Sequence, residues 1–246
     1  MTDKANKVAI VTGASRGIGA AVAERLARDG LAVIINYSSN AGPAKTLVHQ
    51  IEARGGRALA AQADVSDPDA IRGMFDAAER AFGGIDVLVN NAGIMKLARL
   101  ADSDDASLDQ QIAVNLKGSF YGMREAARRL RDGGRIVNFS TSVVGTKLET
   151  YSIYAATKAA VETMTAILSK ELRGRNITVN AVAPGPVATE LFLTGKSPEL
   201  IERMAKMTPM ERIGTPEDIA SVVSLLVSPD GGWINGQVLR ANGGLV

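Results

Sequence analysis

Two side chains with acid–base chemistry lie four residues apart in this chain of 246 residues: Tyr154 and Lys158. In a helix that spacing places the phenol and the ammonium on one face, one turn apart. A nearby ammonium favours phenolate over phenol, so the pair predicts a lowered pKa for Tyr154 and a role as general acid or base. Reduction of a carbonyl is one reaction that needs such a group. The same spacing is common on ordinary helix faces, so other motifs in the chain are needed to show whether this pair is catalytic.

Composition limits the functional classes. Hydrophobic residues make up 46% and charged residues 22% of the chain, which is typical of a globular protein with a sizeable core. The net charge of +2 is evenly distributed and gives no indication of a nucleic-acid or membrane partner. There is no cysteine, and the one histidine, His49, lies on a polar stretch, so no metal site is predicted.

Targeting signals are not recognisable in the sequence. The apolar segment near the N-terminus breaks at Gly13, which is too short for a signal peptide, and no apolar run approaches the ~18 residues of a membrane span. We expect a cytoplasmic protein. No linker or charge block interrupts the chain, which predicts a single domain over residues 1–246.

Short β-branched runs alternate with helical periodicity along the whole chain. The predicted strands are Val8–Thr12, Ala32–Asn36, Arg57–Gln62, Val87–Val89, Arg135–Phe139, Thr178–Val182 and Val238–Arg240. The predicted helices are Gly19–Asp29, Ala41–Arg54, Asp69–Phe82, Leu108–Leu130, Tyr154–Leu172 and Glu217–Val227. This alternation predicts an α/β fold of the Rossmann type: a doubly wound sheet of about seven parallel strands with helices on both faces.

The first βα unit carries a glycine-rich turn, which we call the glycine turn (residues 13–19). Its sequence is Gly13-Ala14-Ser15-Arg16-Gly17-Ile18-Gly19. Glycines let the backbone approach a pyrophosphate, which then sits at the positive end of the following helix. A glycine-rich match alone also fits an ordinary turn, but its place between the first strand and helix favours nucleotide binding.

Together these motifs resemble the short-chain dehydrogenase/reductase family. The resemblance covers essentially the whole chain and rests on the order and intervals of Thr12-Gly-x3-Gly-x-Gly19, Asn90-Asn-Ala-Gly93, Asn115, Ser142, Tyr154-x3-Lys158 and Pro184-Gly185. The similarity is greatest to the 3-oxoacyl-thioester reductase and polyhydroxynaphthalene-reductase branches. It implies an oxidoreductase that transfers hydride between a nicotinamide and a carbonyl substrate.

Cofactor choice is indicated by the end of the second strand. NAD enzymes usually place an acidic residue there for the ribose 2′-hydroxyl, whereas a 2′-phosphate needs cations and hydroxyls. The strand ends in Tyr37-Ser38-Ser39 without a carboxylate, and Arg16 lies in the adjacent turn. We therefore expect NADP(H), with Arg16, Ser38 and Ser39 near the phosphate. An exposed turn arginine is the simpler alternative for Arg16.

The resemblance implies further cofactor contacts. Asp64 and Val65 would meet the adenine, although a helix cap is the simpler reading of Asp64. The predicted cofactor residues are Gly13, Ser15, Arg16, Gly17, Ile18, Gly19, Tyr37, Ser38, Ser39, Asp64, Val65, Asn91, Ala92, Gly93, Tyr154, Lys158, Pro184, Gly185, Val187 and Thr189.

For the catalytic group the resemblance implies four roles. Tyr154 donates the proton, Lys158 lowers its pKa and holds the nicotinamide ribose, and Asn115 holds a water that links Lys158 to solvent. A hydroxyl binds the carbonyl oxygen. Counting from the fifth strand places that hydroxyl on Thr141, whereas the residues that follow, Val143-Val144-Gly145, favour Ser142. Loops absorb length changes readily, so we favour Ser142 and keep Thr141 as the alternative.

The substrate is expected to meet three segments: Met95 to Leu97, Lys147 to Tyr151 and Leu191 to Met210. Three methionines spaced by three, Met204, Met207 and Met210, indicate an adaptable apolar lid over about residues 188–214, with ordinary helix packing as the alternative.

The family resemblance also implies a homo-oligomer, a tetramer or dimer. It would pair the helices of Asn115 and Tyr154, with Ala159, Ala160, Val161, Met164 and Ile167 as candidate contacts. Two other functions stay open: an NADP(H)-binding regulator without turnover, and an epimerase or dehydratase that retains its cofactor. The fold does not identify the ketone.

Overall fold

A computed structural model describes residues 7–246 of the chain. Residues 1–6, which the sequence assigns to the same single domain and to an N-terminus without a signal peptide, lie outside the described residues. In the part that is described, no helix is both long and apolar enough to cross a membrane.

Among the described residues, seven parallel strands form one sheet in the order β3-β2-β1-β4-β5-β6-β7. The strands are β1 (Val8–Val11), β2 (Ala32–Tyr37), β3 (Arg57–Gln62), β4 (Val87–Asn90), β5 (Arg135–Phe139), β6 (Thr178–Pro184) and β7 (Val238–Ala241). The predicted doubly wound α/β fold is confirmed. The strand order reverses between β1 and β4, where ligands bind in folds of this type.

Within residues 7–246, ten α-helices connect and cover these strands. They are α1 (Gly17–Arg28), α2 (Ala41–Ala53), α3 (Pro68–Phe82), α4 (Asp105–Gln111), α5 (Gly118–Arg129), α6 (Val143–Thr146), α7 (Ser152–Glu171), α8 (Glu190–Leu193), α9 (Pro198–Lys206) and α10 (Pro216–Val227). Local sequence explains several starts. Asp67 caps α3 ahead of Pro68, and Thr215 and Asp218 form a reciprocal capping box at α10.

The sheet has a hydrophobic core on each of its two faces. Val11 packs with α1, α2 and α10, whereas its neighbour Ile10 packs with α3 and α5. Alternate residues of a strand point to opposite faces, so a strand that is covered on both sides is buried at every position and is mostly apolar. Strands β1, β4 and β5 are buried throughout. The edge strands β3 and β7 have exposed positions.

The prediction of one regular helix over Leu108–Leu130 is wrong. The chain forms α4, then a π-helical segment Ile112–Lys117, then α5. Asn115 is at the centre of this segment, fully buried, with its side chain paired to the backbone of Ile94. The Ser119 hydroxyl donates to the Asn115 carbonyl at 2.7 Å. These bonds hold the Asn115 side chain and carbonyl in place, and π-turns of this kind are frequent at functional sites.

Candidate active site

The glycine turn leaves no room for side chains at two of its positions. A Cβ atom on Gly19 would lie 2.4 Å from the Gly13 carbonyl oxygen and 2.5 Å from Nδ2 of Asn91. Gly13 has a φ of 61°, and a Cβ there would lie 2.9 Å from Cα of Ala92. The turn therefore packs against the end of β4, and its backbone is left facing the cleft.

Helix α1 begins at this turn with no side-chain cap. Arg16 occupies the N-cap position without a capping hydrogen bond, and the first turn holds no acidic residue. The helix starts at Gly17, two residues earlier than predicted. Free N–H groups at the positive end of a helix of 12 residues suit a pyrophosphate. The turn therefore fits the predicted dinucleotide.

Two residues that sequence reasoning left out of the site hold the glycine turn in place. The Thr12 hydroxyl accepts from the N–H groups of Asn91 and Ala92, each at 3.0 Å. Oδ1 of Asn36 accepts from the Gly13 N–H at 3.0 Å, while its Nδ2 donates to the carbonyl of Ala63. A polar residue inside the apolar run of β2 was the available signal for Asn36.

One half of the cleft, which we call the nucleotide half, is lined by most of the predicted cofactor residues. Its lining comprises Gly13, Ser15, Arg16, Gly17, Ile18, Gly19, Asn36, Tyr37, Ser38, Ala63, Asp64, Val65, Asn91, Ala92, Gly93, Ile94, Gln110, Val114, Thr189, Glu190 and Leu191. Ser39 does not line it. Arg16 pairs with Glu190 at 3.1 Å, a contact that the sequence did not indicate.

Asp64 does not cap a helix. Its Oδ1 accepts from the Ser66 N–H at 2.9 Å and from the Ser66 hydroxyl at 2.7 Å, and Asp67 caps α3 instead. Val65 beside it is buried. Asp64 lines the nucleotide half of the cleft. This position is compatible with the predicted contact to the adenine.

The other half, the catalytic half, brings Tyr154 and Lys158 together on α7. Its lining comprises Ile18, Asn91, Gly93, Met95, Phe139, Ser140, Thr141, Ser142, Val143, Thr146, Leu148, Tyr151, Tyr154, Lys158, Pro184, Gly185, Pro186, Val187, Thr189, Leu191, Phe192, Met204 and Leu245. Nζ of Lys158 donates to the Phe139 carbonyl at 2.8 Å and lies 6.0 Å from the centre of the Tyr154 ring.

The acid–base properties of this pair differ from the expectation. Burial raises the pKa of Tyr154 to about 12, and hydrogen bonding with the Thr141 hydroxyl lowers it only in part. Burial also lowers the pKa of Lys158 to about 8. The prediction that Lys158 lowers the pKa of Tyr154 is therefore wrong, because desolvation of the phenol dominates. The phenol carries its proton at neutral pH, as a proton donor must.

The two candidate hydroxyls have different partners. The Ser142 hydroxyl donates to the Ala183 carbonyl at 3.0 Å and accepts from Nδ2 of Asn242 at 2.9 Å. The Thr141 hydroxyl interacts with the phenol of Tyr154. Both residues line the catalytic half, but the bonds of Ser142 direct its hydroxyl to β6 and the C-terminal tail. These partners favour Thr141 over Ser142, and the choice between the two hydroxyls stays a prediction.

Asn115 lies next to this group. Its Oδ1 accepts from the Ile94 N–H at 2.8 Å, and its Nδ2 donates to the Thr157 hydroxyl at 3.3 Å. A Cβ on Gly93 would lie 3.3 Å from Oδ1 of Asn115 and 3.5 Å from Nζ of Lys158. Gly93 therefore lies against both the Asn115 amide and the Lys158 ammonium.

Only some residues of the predicted substrate segments line the catalytic half. Leu148 and Tyr151 line the catalytic half, together with Leu191 and Phe192 around α8. Met204 also lines it. Met207 and Met210 do not, and they are 49% and 62% exposed. Sequence reasoning missed Leu245, which reaches the cleft from the C-terminal tail.

Comparison with known proteins places these features in a family. A family model described as enoyl-(acyl carrier protein) reductase matches residues 13–246. The chain is 47% identical over 250 residues to a short-chain type dehydrogenase/reductase of Picea abies, covering 98% of this chain and 92% of that protein. It is 45% identical to an NADPH-dependent aldehyde reductase-like protein, chloroplastic, of Arabidopsis thaliana, covering 98% and 95%.

A solved structure agrees with these relatives. A short-chain dehydrogenase from Burkholderia cenocepacia in complex with NADP superimposes with a TM-score of 0.93 at 40% identity, covering 98% of each chain. Similarity of this extent, with the glycine turn and the Tyr154–Lys158 pair in one cleft, shows that the chain belongs to the short-chain dehydrogenase/reductase family of oxidoreductases.

Proposed function

We propose that this protein reduces a carbonyl group to an alcohol with NADPH, with Tyr154 as the proton donor. One observation carries the proposal: a protonated phenol, in contact with the Thr141 hydroxyl, lines the same cleft as an uncapped helix start that suits a pyrophosphate. The NADPH-dependent relative and the NADP-bound neighbour support the choice of cofactor.

When bound, the nicotinamide supplies the hydride. The protein must then deliver a proton to the carbonyl oxygen and stabilise the negative charge that develops on it. We assign the proton to the Tyr154 hydroxyl and a hydrogen bond to that oxygen to the Thr141 hydroxyl. The ammonium of Lys158, which donates to the Phe139 carbonyl, would stabilise the phenolate that remains and would hold the nicotinamide ribose. We assign to Asn115 the water that would link Lys158 to solvent.

The cofactor contacts follow the two halves of the cleft. The glycine turn would hold the pyrophosphate, while Arg16, Tyr37 and Ser38 would surround the 2′-phosphate. Asp64 and Val65 would meet the adenine. At the nicotinamide end the proposed contacts are Tyr154, Lys158, Pro184, Gly185, Val187 and Thr189, all of which line the catalytic half.

An apolar lining indicates the kind of substrate. Met95, Leu148, Leu191, Phe192 and Met204 surround the catalytic half near Tyr154. Apolar walls around a few polar groups fit a small carbonyl compound with an apolar body. Aldehydes, ketones, quinones and 3-oxo esters all meet this description.

A screen of these compounds tests the proposal. Loss of NADPH absorbance with at least one class, at rates well above the rate without substrate, is the expected result. Tight NADPH binding with no oxidation for any class would favour the regulator, whereas conversion of a substrate without net NADPH loss would favour an epimerase or dehydratase. Either outcome would overturn carbonyl reduction.

We also propose that α8 and α9 form a lid that closes over the catalytic half. Support comes from Leu191, Phe192 and Met204, which line it from this segment. Limited proteolysis should cut within about residues 188–214 more slowly when NADPH is present. Equal cutting with and without NADPH would contradict a closing lid.

The proposed assembly is based on the family resemblance. We propose a homo-oligomer that pairs the α5 and α7 helices of two copies, since Ile167 and Phe120 are 51% and 43% exposed. Val161 is fully buried within the chain and does not belong to that surface. Light scattering should give a mass of two or four chains, and Ile167→Lys should lower it.

A cytoplasmic location stays a prediction, which imaging of the tagged full chain can test.

A further inference from the structure

Arg16 has an anionic partner within the protein, the carboxylate of Glu190. We propose that Glu190 competes with the 2′-phosphate of the cofactor for the Arg16 guanidinium, and that this competition limits the preference for NADP(H) over NAD(H). The inference rests on the proposed cofactor and adds a residue from the lid that sets its selectivity.

The ion pair joins two distant parts of the chain. Nη1 of Arg16 lies 3.1 Å from Oε2 of Glu190, and the two residues are 174 positions apart. Their side chains are 75% and 70% exposed, so ligand and solvent reach both. Within residues 7–246 neither side chain has a second ion pair. Glu190 is the first residue of α8 and lines the nucleotide half of the cleft.

Arg16 is also the one basic residue among the described residues that line the nucleotide half. The end of β2 offers Tyr37 and Ser38 but no carboxylate, which suits a phosphate rather than a free 2′-hydroxyl. A guanidinium binds carboxylate and phosphate with the same planar set of N–H donors. The 2′-phosphate must therefore break or share the existing pair. NAD(H), which lacks this phosphate, leaves the pair intact.

The expected effect is modest because the pair is exposed. Removing the competing carboxylate should tighten NADP⁺ binding about two- to fivefold, which is the range for exposed ion pairs. Binding of NAD⁺ should not change. The gain in NADP⁺ affinity should also shrink at high salt, since screening weakens exposed pairs.

Glu190→Gln tests this by calorimetric titration with NADP⁺ and NAD⁺, which requires no substrate and no turnover. Glu199→Gln is the matched control: Glu199 is an exposed carboxylate in the first turn of α9 and has no ion pair within the described chain. The same two titrations with Arg16→Ala and with the double variant Arg16→Ala/Glu190→Gln complete a double-mutant cycle.

We expect Glu190→Gln to bind NADP⁺ more tightly than wild type and to bind NAD⁺ with unchanged affinity. Glu199→Gln should bind both cofactors as wild type does. In the Arg16→Ala background, Glu190→Gln should no longer change the NADP⁺ affinity. Weaker NADP⁺ binding by Glu190→Gln would overturn it, because Glu190 would then position Arg16 for the phosphate. An equal gain for NAD⁺, or a gain that persists without Arg16, would also overturn it. Failure of wild-type protein to bind NADP⁺ at all would instead refute the proposed function.

Discussion

Lys158 should make the protein less stable at neutral pH than a variant without it. The ammonium is 3% exposed, and burial lowers its pKa from 10.5 to about 8. That difference means that the charged form costs the folded state about 3 kcal/mol. Lys158→Met removes this cost but also the hydrogen bond to the Phe139 carbonyl, worth about 1 kcal/mol. We expect a net stabilisation of about 2 kcal/mol, or about 4–8 °C in Tm for a chain of this size.

The effect has a defined pH dependence. Below pH 8 the lysine is protonated in both the folded and the unfolded chain, so the full cost is present at pH 7. Between about pH 8 and 10.5 the unfolded chain binds the proton more tightly, and the wild type gains stability as the pH rises. The advantage of Lys158→Met should therefore shrink above pH 8 and be close to zero near pH 9.5.

Urea denaturation and thermal melts of the protein without cofactor, at pH 7 and pH 9.5, measure this difference. Lys45→Met is the control, since Lys45 is an exposed lysine on α2. It should change stability little at either pH. A Lys158→Met variant that is less stable than wild type at pH 7, or that keeps the same advantage at both pH values, would refute the reasoning that burial governs this lysine.

Two further predictions concern the hydroxyls and the glycine turn. Thr141→Ala should lower kcat by about 10²–10³, as loss of an oxyanion donor does, and Thr141→Ser should restore most of it. Ser142→Ala should cost less than about tenfold, because its hydroxyl bonds to β6 and the tail; the opposite ranking in steady-state assays would restore Ser142 as the catalytic hydroxyl. Gly19→Ala should abolish NADP⁺ binding, because its Cβ would lie 2.5 Å from Nδ2 of Asn91. Gly73→Ala, on an open helix face, should leave NADP⁺ binding unchanged, and unaltered binding by Gly19→Ala would contradict this reading of the turn.

Much of the fold is encoded locally and could be predicted. Apolar runs such as that of β1 and the cap and proline at Asp67 and Pro68 act within a few residues, so each strand was placed to within two residues. The glycine turn was recognisable because its glycines are close together in sequence between the first strand and the first helix. The contacts that require Gly13 and Gly19 to be glycine involve Ala92 and Asn91, which follow β4.

The remaining features depend on contacts that the order of residues does not reveal. The direction of the Ser142 hydroxyl is fixed by Asn242, 100 positions away. The Asn115 side chain in the π-helical segment is held by the backbone of Ile94, 21 positions earlier. The pKa of Tyr154 follows from the depth of the cleft, which outweighs the nearby lysine that the spacing predicts. Each of these is a tertiary effect.

The role of Tyr154 as proton donor is tested most directly by Tyr154→Phe. The variant keeps the ring and removes only the hydroxyl, so NADPH should bind as in wild type by calorimetry. Single-turnover oxidation of bound NADPH, with a substrate that the wild type reduces, should slow by about 10²–10⁴, the range for loss of a general acid. Normal NADPH binding with turnover within about tenfold of wild type would contradict the assignment of Tyr154 as the proton donor.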